Sequence, residues 1–283
     1  MIGSVPDRPI AALWLELGKI PAFFRRDLLV AWSYRLSFFL DWAGLIAQSL
    51  VFAAVQGIVD PSTMPSYGGT QATYLEFVTI GIALSSFMAV ALGRVYAVVR
   101  QEQVQGTLES LLLTPTAFTT IQLGSVAYDL LYVPVRTGLF LIFTSVVLGT
   151  AFQWSGVLPM LGVIAVFIPF VWGIGILAAA WTITFKRGTG VIGLLFSAIS
   201  IGSGTYFPLT VLPEPLQRIA AYSPLTIALD ASREALIGGA GWAEIAPAIA
   251  VLIPSAAVSM GLGIAAFRVG LARERRRGSL GLY

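Results

Sequence analysis

Apolar residues along this chain come in six long runs, at roughly 36–58, 74–99, 119–148, 158–185, 191–212 and 245–267, separated by short polar stretches. A helix needs about 20 apolar residues to cross the ~30 Å hydrocarbon core of a bilayer, and each run meets that length. The pattern predicts an all-α polytopic membrane protein with six transmembrane helices, and what remains is too short for a soluble catalytic domain.

Two segments outside the runs have helical spacing of their own. Before the first run, Leu13, Leu17 and Ile20 fall on one stripe, as do Phe24, Leu28 and Ala31, with Glu16, Lys19, Arg25, Arg26 and Asp27 between them. This predicts an N-terminal interfacial amphipathic helix over 10–34, broken at Pro21; a plain cytoplasmic extension of the first span is the alternative. Before the last run, residues 213–238 carry helix signals: Pro213 and Pro215 open one short helix, Ser223-Pro224 opens another, and Gly238-Gly239 ends it. Two short extracytoplasmic re-entrant helices dipping into the outer leaflet are expected here. A seventh span would bury Asp230, Arg233 and Glu234, at about 2.5–3.5 kcal/mol per charge.

Composition agrees: of 283 residues 57% are hydrophobic and only 11% charged, with a mean hydropathy of +0.85. Soluble domains carry roughly 25% charged residues. Basic residues cluster before the first run (Arg8, Lys19, Arg25, Arg26, Arg35), at the end of the second (Arg94, Arg100), between the fourth and fifth (Lys186, Arg187) and after the sixth (Arg268 to Arg277). Loops 59–73 and 149–157 have none. By the positive-inside rule both termini face the cytoplasm, and the chain is a multi-pass protein of the inner (cytoplasmic) membrane. The net charge of +3 then reports orientation, and nucleic acid is not an expected partner. With neither cysteine nor histidine, thiol catalysis, disulfides and His-based metal sites are excluded, and no metal site is expected. Pro6 to Pro9 precede any apolar segment, so the first span is expected to direct insertion.

Between the second and third runs lies EQVQGTLESLLLTPTAF, Glu102 to Phe118. Thr107 can cap a helix whose first turn holds Glu109, Pro115 stops it, and Gly106 allows a sharp turn before it. Val104, Leu108, Leu111 and Leu112 share one face, while Glu102, Gln105 and Glu109 share another. A helix lying on an anionic leaflet is ordinarily rich in Lys and Arg, and this one has none from Gln101 to Phe118. Two acids without a base suit a protein partner better than lipid; a connector floating in the headgroup layer is the other reading.

The block EQVQGTLESLLLTP resembles the coupling-helix region of the type-two ATP-binding-cassette exporter permeases, in which an acidic residue precedes Gly-Thr-Leu-Glu, two leucines and Thr-Pro. A second block, GTYFPLTVLPEPLQRIAAYSPLTIALDASREALIGG, is similar to the same family's signature of Phe-Pro, Leu-Pro, a short helix, Pro-Leu-Thr and an Arg-containing helix ending in Gly-Gly. Phe207, Pro208, Pro213, Pro224 and Arg233 carry that likeness. The resemblance implies a cytoplasmic coupling helix over 101–113, with Glu102, Gln105, Gly106, Thr107, Leu108, Glu109, Leu111 and Leu112 as the ATPase-coupling residues. It implies two ATPase subunits per complex and a second permease copy or paralogue. This chain has no Gly-x-x-x-x-Gly-Lys-Ser/Thr, so it is expected to be a non-catalytic subunit that binds no cofactor itself, with ATP and Mg on the partner ATPase. Where the family often has a charged pair before Gly-Thr-Leu-Glu, this chain has Gln103, Val104 and Gln105.

Asp129 and Arg136 lie inside the third run, where charges point to function by default. They share a face at i, i+7 but are about 10.5 Å apart along the axis, so partners from another span or subunit are expected; gating or substrate contact is one reading, and the other has Asp129 near the cytoplasmic interface of a tilted helix and Arg136 on structural carbonyls. Tyr67, Trp154, Tyr206, Tyr222 and Trp242 read as an interface belt, and Asp41 and Glu76 as span-end acids that reach water. The resemblance implies a permease that exports a hydrophobic or amphipathic compound, a drug-like molecule or lipid, with membrane lipids around it. A polysaccharide or glycolipid exporter is the alternative within the superfamily. An ion-driven transporter would want more intramembrane acids and an inverted repeat, and an intramembrane enzyme a fuller catalytic set.

Overall fold

The computed structural model describes residues 35–104, 118–185 and 189–277 and six isolated helical positions between 21 and 33; at 35, 37, 38, 41, 90–104, 118–131, 182–185, 189–192, 271 and 274–277 it describes the backbone course alone. Most of the amphipathic entry helix and most of the coupling segment lie outside the described residues. Eight helices are described: α1 (Arg35–Gln56), α2 (Tyr74–Val104), α3 (Phe118–Leu148), α4 (Val157–Phe185), α5 (Thr189–Gly202), α6 (Glu214–Ala221), α7 (Pro224–Leu236) and α8 (Trp242–Arg277). Strands β1 (Ser66–Tyr67) and β2 (Thr70–Gln71) form a small antiparallel hairpin. Its two turn residues, Gly68 and Gly69, have φ of 54° and 78°, the left-handed pair that a tight two-residue hairpin requires. Among the described residues two helices, within 154–181 and 242–270, are long and apolar enough to cross a membrane, and four shorter apolar stretches lie in α1, α2, α3 and α5.

Several boundaries differ from the sequence expectation, each for a local reason. The second run was expected to end at residue 99 with a separate helix from 101; α2 instead continues through Glu102 to Val104, because no Gly or Pro interrupts 94–105. The fifth helix was expected to reach 212 but ends at Gly202. There the chain turns through Gly204 at φ 80°, and Pro208 leads into a single 3-10 turn at Leu209–Val211. The sixth helix extends past 267 to Arg277, through residues of good helix propensity.

α2 begins on a capping box that the apolar pattern hides. The Thr73 hydroxyl accepts from the Glu76 N–H at 3.3 Å, and the Glu76 carboxylate accepts from the Thr73 N–H at 2.9 Å. The other Glu76 oxygen accepts from the Ala151 N–H at 2.9 Å, joining the start of α2 to the loop after α3. Glu76 is buried, contrary to the expectation that it reaches water.

One core collects Phe77, Ile80 and Leu84 of α2, Val163, Ile164 and Phe167 of α4, Leu225, Leu229 and Leu236 of α7, and Leu252 of α8. Small residues bring these helices together. A Cβ on Gly173 of α4 would lie 2.3 Å from the Ser259 carbonyl carbon of α8, and one on Gly263 would lie 2.5 Å from the Gly173 oxygen. Ser259 also donates to the Phe170 carbonyl at 3.0 Å. Close backbone approach supplies the dispersion contacts that bind helices where burial from lipid contributes little. The same device seats α2 against the end of α5, since a Cβ on Gly81 would lie 2.0 Å from the Thr205 oxygen.

Gly81→Ala should therefore lower thermal stability in detergent by about 1–3 kcal/mol through overpacking. Gly44→Ala, in α1 with nothing within 4 Å, should be neutral or stabilise by about 0.5–1 kcal/mol through helix propensity. Equal melting temperatures for the two variants would contradict the close α2–α5 approach.

Candidate functional site

Helix α7 is built from PLTIALDASREAL, whose opening proline needs no helical N–H partner and whose end is set by Gly239 at φ 72°. Ser223 occupies the cap position, but its hydroxyl lies 3.3 Å from that of Ser203 and makes no side-chain capping bond to the helix. Nine of its residues are buried, among them Arg233 at 1% exposure. α7 thus runs through the protein core, and it shields its arginine with protein.

The Arg233 guanidinium is satisfied almost wholly by backbone. Its Nη2 donates to the carbonyls of Gly204 at 2.8 Å, Phe77 at 3.2 Å and Thr205 at 3.4 Å, and its Nε donates to Phe77 at 3.3 Å. Nη1 lies 3.5 Å from Asp230 Oδ1, one turn earlier. Its central carbon sits 3.4 Å above the centre of the Phe77 ring, a cation–π contact. The carbonyls of Gly204 and Thr205 are free to accept because the chain leaves helical geometry there. The planar five-donor fork of arginine is what lets one side chain reach three separate carbonyls.

Around this centre the Tyr67 hydroxyl donates to Asp230 Oδ1 at 3.4 Å, and Glu234 Oε1 accepts from the Gly68 N–H at 2.9 Å. The Leu236 carbonyl accepts from the Gln153 N–H at 2.7 Å. Burial pushes the Tyr67 phenol well above its ordinary range. Burial also pulls Arg233 down, opposed by Tyr67 and Asp230. The hairpin, α2, the loop after α3, the end of α5 and α7 thus meet at one end of the bundle.

Of the other expected residues, Pro208 is buried and Phe207 half-buried beside the turn that Arg233 binds. Pro213 caps α6 and Pro224 opens α7. α6 has no buried residue, and its Arg218 pairs with Glu214 on the open surface. The aromatic set divides: Trp154, Tyr222 and Trp242 are exposed, Tyr67 is buried, and Tyr206 stacks on Phe52 at 5.5 Å. Arg136 is half-buried on α3 with its Nε shielded and without an acceptor. Asp129 lies on the described backbone of α3 and Glu102 in the last turn of α2. Gln105, Gly106, Thr107, Leu108, Glu109, Leu111 and Leu112 lie outside the described residues. Sequence reasoning missed Tyr67, Glu76, Gly81 and Asp230 as partners. Thr73-x-x-Glu76 was a legible cap signal, and Asp230-x-x-Arg233 in an apolar helix was a legible charge pair. Among the described residues no three of His, Cys, Asp and Glu gather to hold a metal.

The family model described as ABC-2 type transporter matches residues 19–237, from before α1 to the residue after α7. The chain belongs to the ABC-2 type transporter family. That family is one of membrane proteins, in keeping with the apolar helices of this chain. It is also 26% identical over 134 residues to the Linearmycin resistance permease protein LnrN of Bacillus subtilis (strain 168). That match covers 47% of this chain and 34% of the relative, so the chain spans about a third of the length of the curated permease it resembles.

Removing Arg233 from its carbonyls should unlock this end of the permease. Arg233→Ala is expected to cost about 3–5 kcal/mol, the range for orphaning buried polar partners, and Tyr67→Phe about 1 kcal/mol. Thermal unfolding of the purified protein measures both, and an Arg233→Ala variant as stable as the parent would contradict the clamp.

Proposed function

We propose that the chain is the permease half of an ATP-driven exporter that moves a hydrophobic or amphipathic compound out of the cytoplasm or inner leaflet. The observation that carries this reading is the acidic, base-free segment Glu102 to Phe118, placed between α2 and α3 in a chain of the ABC-2 family. Two copies, or this chain and a paralogue, bind two ATPase subunits at that segment. Closure of the ATPases pushes it as a rigid unit, with Glu109 and Glu102 pairing to basic residues and Leu108, Leu111 and Leu112 filling the groove.

In this reading α1, α2, α3, α4, α5 and α8 are the six spans, both termini are cytoplasmic, and the hairpin end faces outward. α2 and α3 leave the coupling segment in opposite chain directions, and both reach the outer end, where Glu76 links them through Ala151. Force applied at the inner end therefore reaches a clamped outer end, with Arg233 as the fixed point beside the exit. The relative's name states linearmycin resistance, which supports export of a drug-like compound over a polysaccharide.

Co-expression with nucleotide-binding subunits should yield a stable complex. Glu109→Arg or Leu108→Asp should lower ATPase-coupled transport about tenfold or more, as expected for loss of an interface anchor; no partner and no effect would sink the exporter reading. Because the chain has no cysteine, single cysteines at Glu109 and at the exposed Trp154 should be labelled from opposite sides. Labelling of both from one side would break the six-span topology.

A further inference from the structure

Arg136 lies 12 residues before the end of α3 at Leu148, about 18 Å along the axis. On the permease reading this is deep in the hydrocarbon layer. Its helix neighbours fix its level. Val133 and Leu141 pack in the cluster that holds Leu84, Phe87 and Met88 of α2, and Phe140 packs with Val78, Ile82 and Ala83. Arg136 thus emerges between these two layers, on the border between the buried face of α3, Val133 and Phe140, and its open face, Val135 and Leu139.

Among the side chains that the structure describes, no group neutralises it. Its Nε is shielded from solvent with no acceptor, and among the described residues it makes no ion pair. α4 and α5 contain no charged residue, and α8 has none between Glu244 and Arg268. The Glu76 carboxylate is engaged by the N–H groups of Thr73 and Ala151. Asp129 is two turns away on the same helix, about 10.5 Å, too far along the axis for an unstrained pair. This contrasts with Arg233, whose donors find three carbonyls and a carboxylate. An intramembrane guanidinium costs several kcal/mol unless an anion meets it, and its fork matches a carboxylate or phosphate.

We propose that Arg136 is the recognition residue for the anionic head, carboxylate or phosphate, of an amphipathic passenger whose tail lies along Val135, Leu139 and Ile142. All three apolar residues are exposed on α3, so a single molecule can place its charge at Arg136 and its chain on the surface beside it. The proposal rests on the permease reading and names the substrate class it takes.

The test uses the full-length chain in phosphatidylcholine nanodiscs, without ATPase, titrated with a fluorescent fatty acid, the matched fatty alcohol and the matched fatty amine. The acid should bind about tenfold or more tighter than the alcohol, the scale of one charge-assisted hydrogen bond. Arg136→Gln should abolish that preference and Arg136→Lys retain part of it, with melting temperature and oligomeric state unchanged, since no protein partner is orphaned. Competition by added phosphatidylglycerol identifies a bilayer lipid as the natural anion, and its absence a free amphiphile; both support the site. Equal affinity for the three probes, or an acid preference that survives Arg136→Gln, overturns it. So does a fall in melting temperature or dissociation of the oligomer in Arg136→Gln, which would place the counter-ion on protein. Because no ATPase takes part, failure here leaves the exporter reading standing, and absence of an ATPase partner leaves this binding result readable.

Discussion

The arrangement of the hairpin end depends on one problem, the burial of the Arg233 charge. A guanidinium withdrawn from water must be met by dipoles or counter-charge, or the helix that carries it cannot stay in the core. Here the carbonyls of Phe77, Gly204 and Thr205 meet it, with Asp230 and the Phe77 ring beside it. Those carbonyls belong to α2 and to the turn after α5, so satisfying one side chain ties three segments that are far apart in sequence. Gly81 is a condition of that tie, since any side chain there would collide with the Thr205 oxygen.

The rest of the bundle is held by contact of another kind. α4 has no charged residue, and its Gly173 admits the backbone of α8. Ser259 adds a directional link there by reaching the Phe170 carbonyl. At the hairpin end Glu76, Glu234, Tyr67 and Arg233 cross-link loops to helices. Polar clamp and smooth packing thus divide the described core between them. α5 shows the division within one helix. Leu194, Leu195 and Ile199 are exposed along its length, while the turn that ends it is held by Arg233 and by the Thr226 hydroxyl, which donates to the Ser203 carbonyl.

The two arginines of the described interior are chemically alike and differ in their surroundings. Arg233 faces the turn after α5 with its free carbonyls, whereas Arg136 sits inside α3, two residues after Pro134, and makes no bond to a carbonyl among the described residues. A saturated arginine is a structural pin, and an unsaturated one is available to a ligand.

The sequence by itself determined the all-helical class, the membrane setting and the family, because hydropathy over twenty residues and two ordered motif blocks are local properties that survive any packing. Proline and glycine punctuation also located the short helices α6 and α7 before the last span. Only the tertiary structure decided that α7 lies in the core, because an arginine's cost depends on which carbonyls surround it, and Phe77 and Thr205 are 156 and 28 residues away. The fate of Glu76 had the same cause: its local cap was legible from Thr73, but its second bond, to Ala151, spans 75 residues. Hydropathy reports what a segment tolerates from solvent, and a buried charge is a matter of what other segments bring to it.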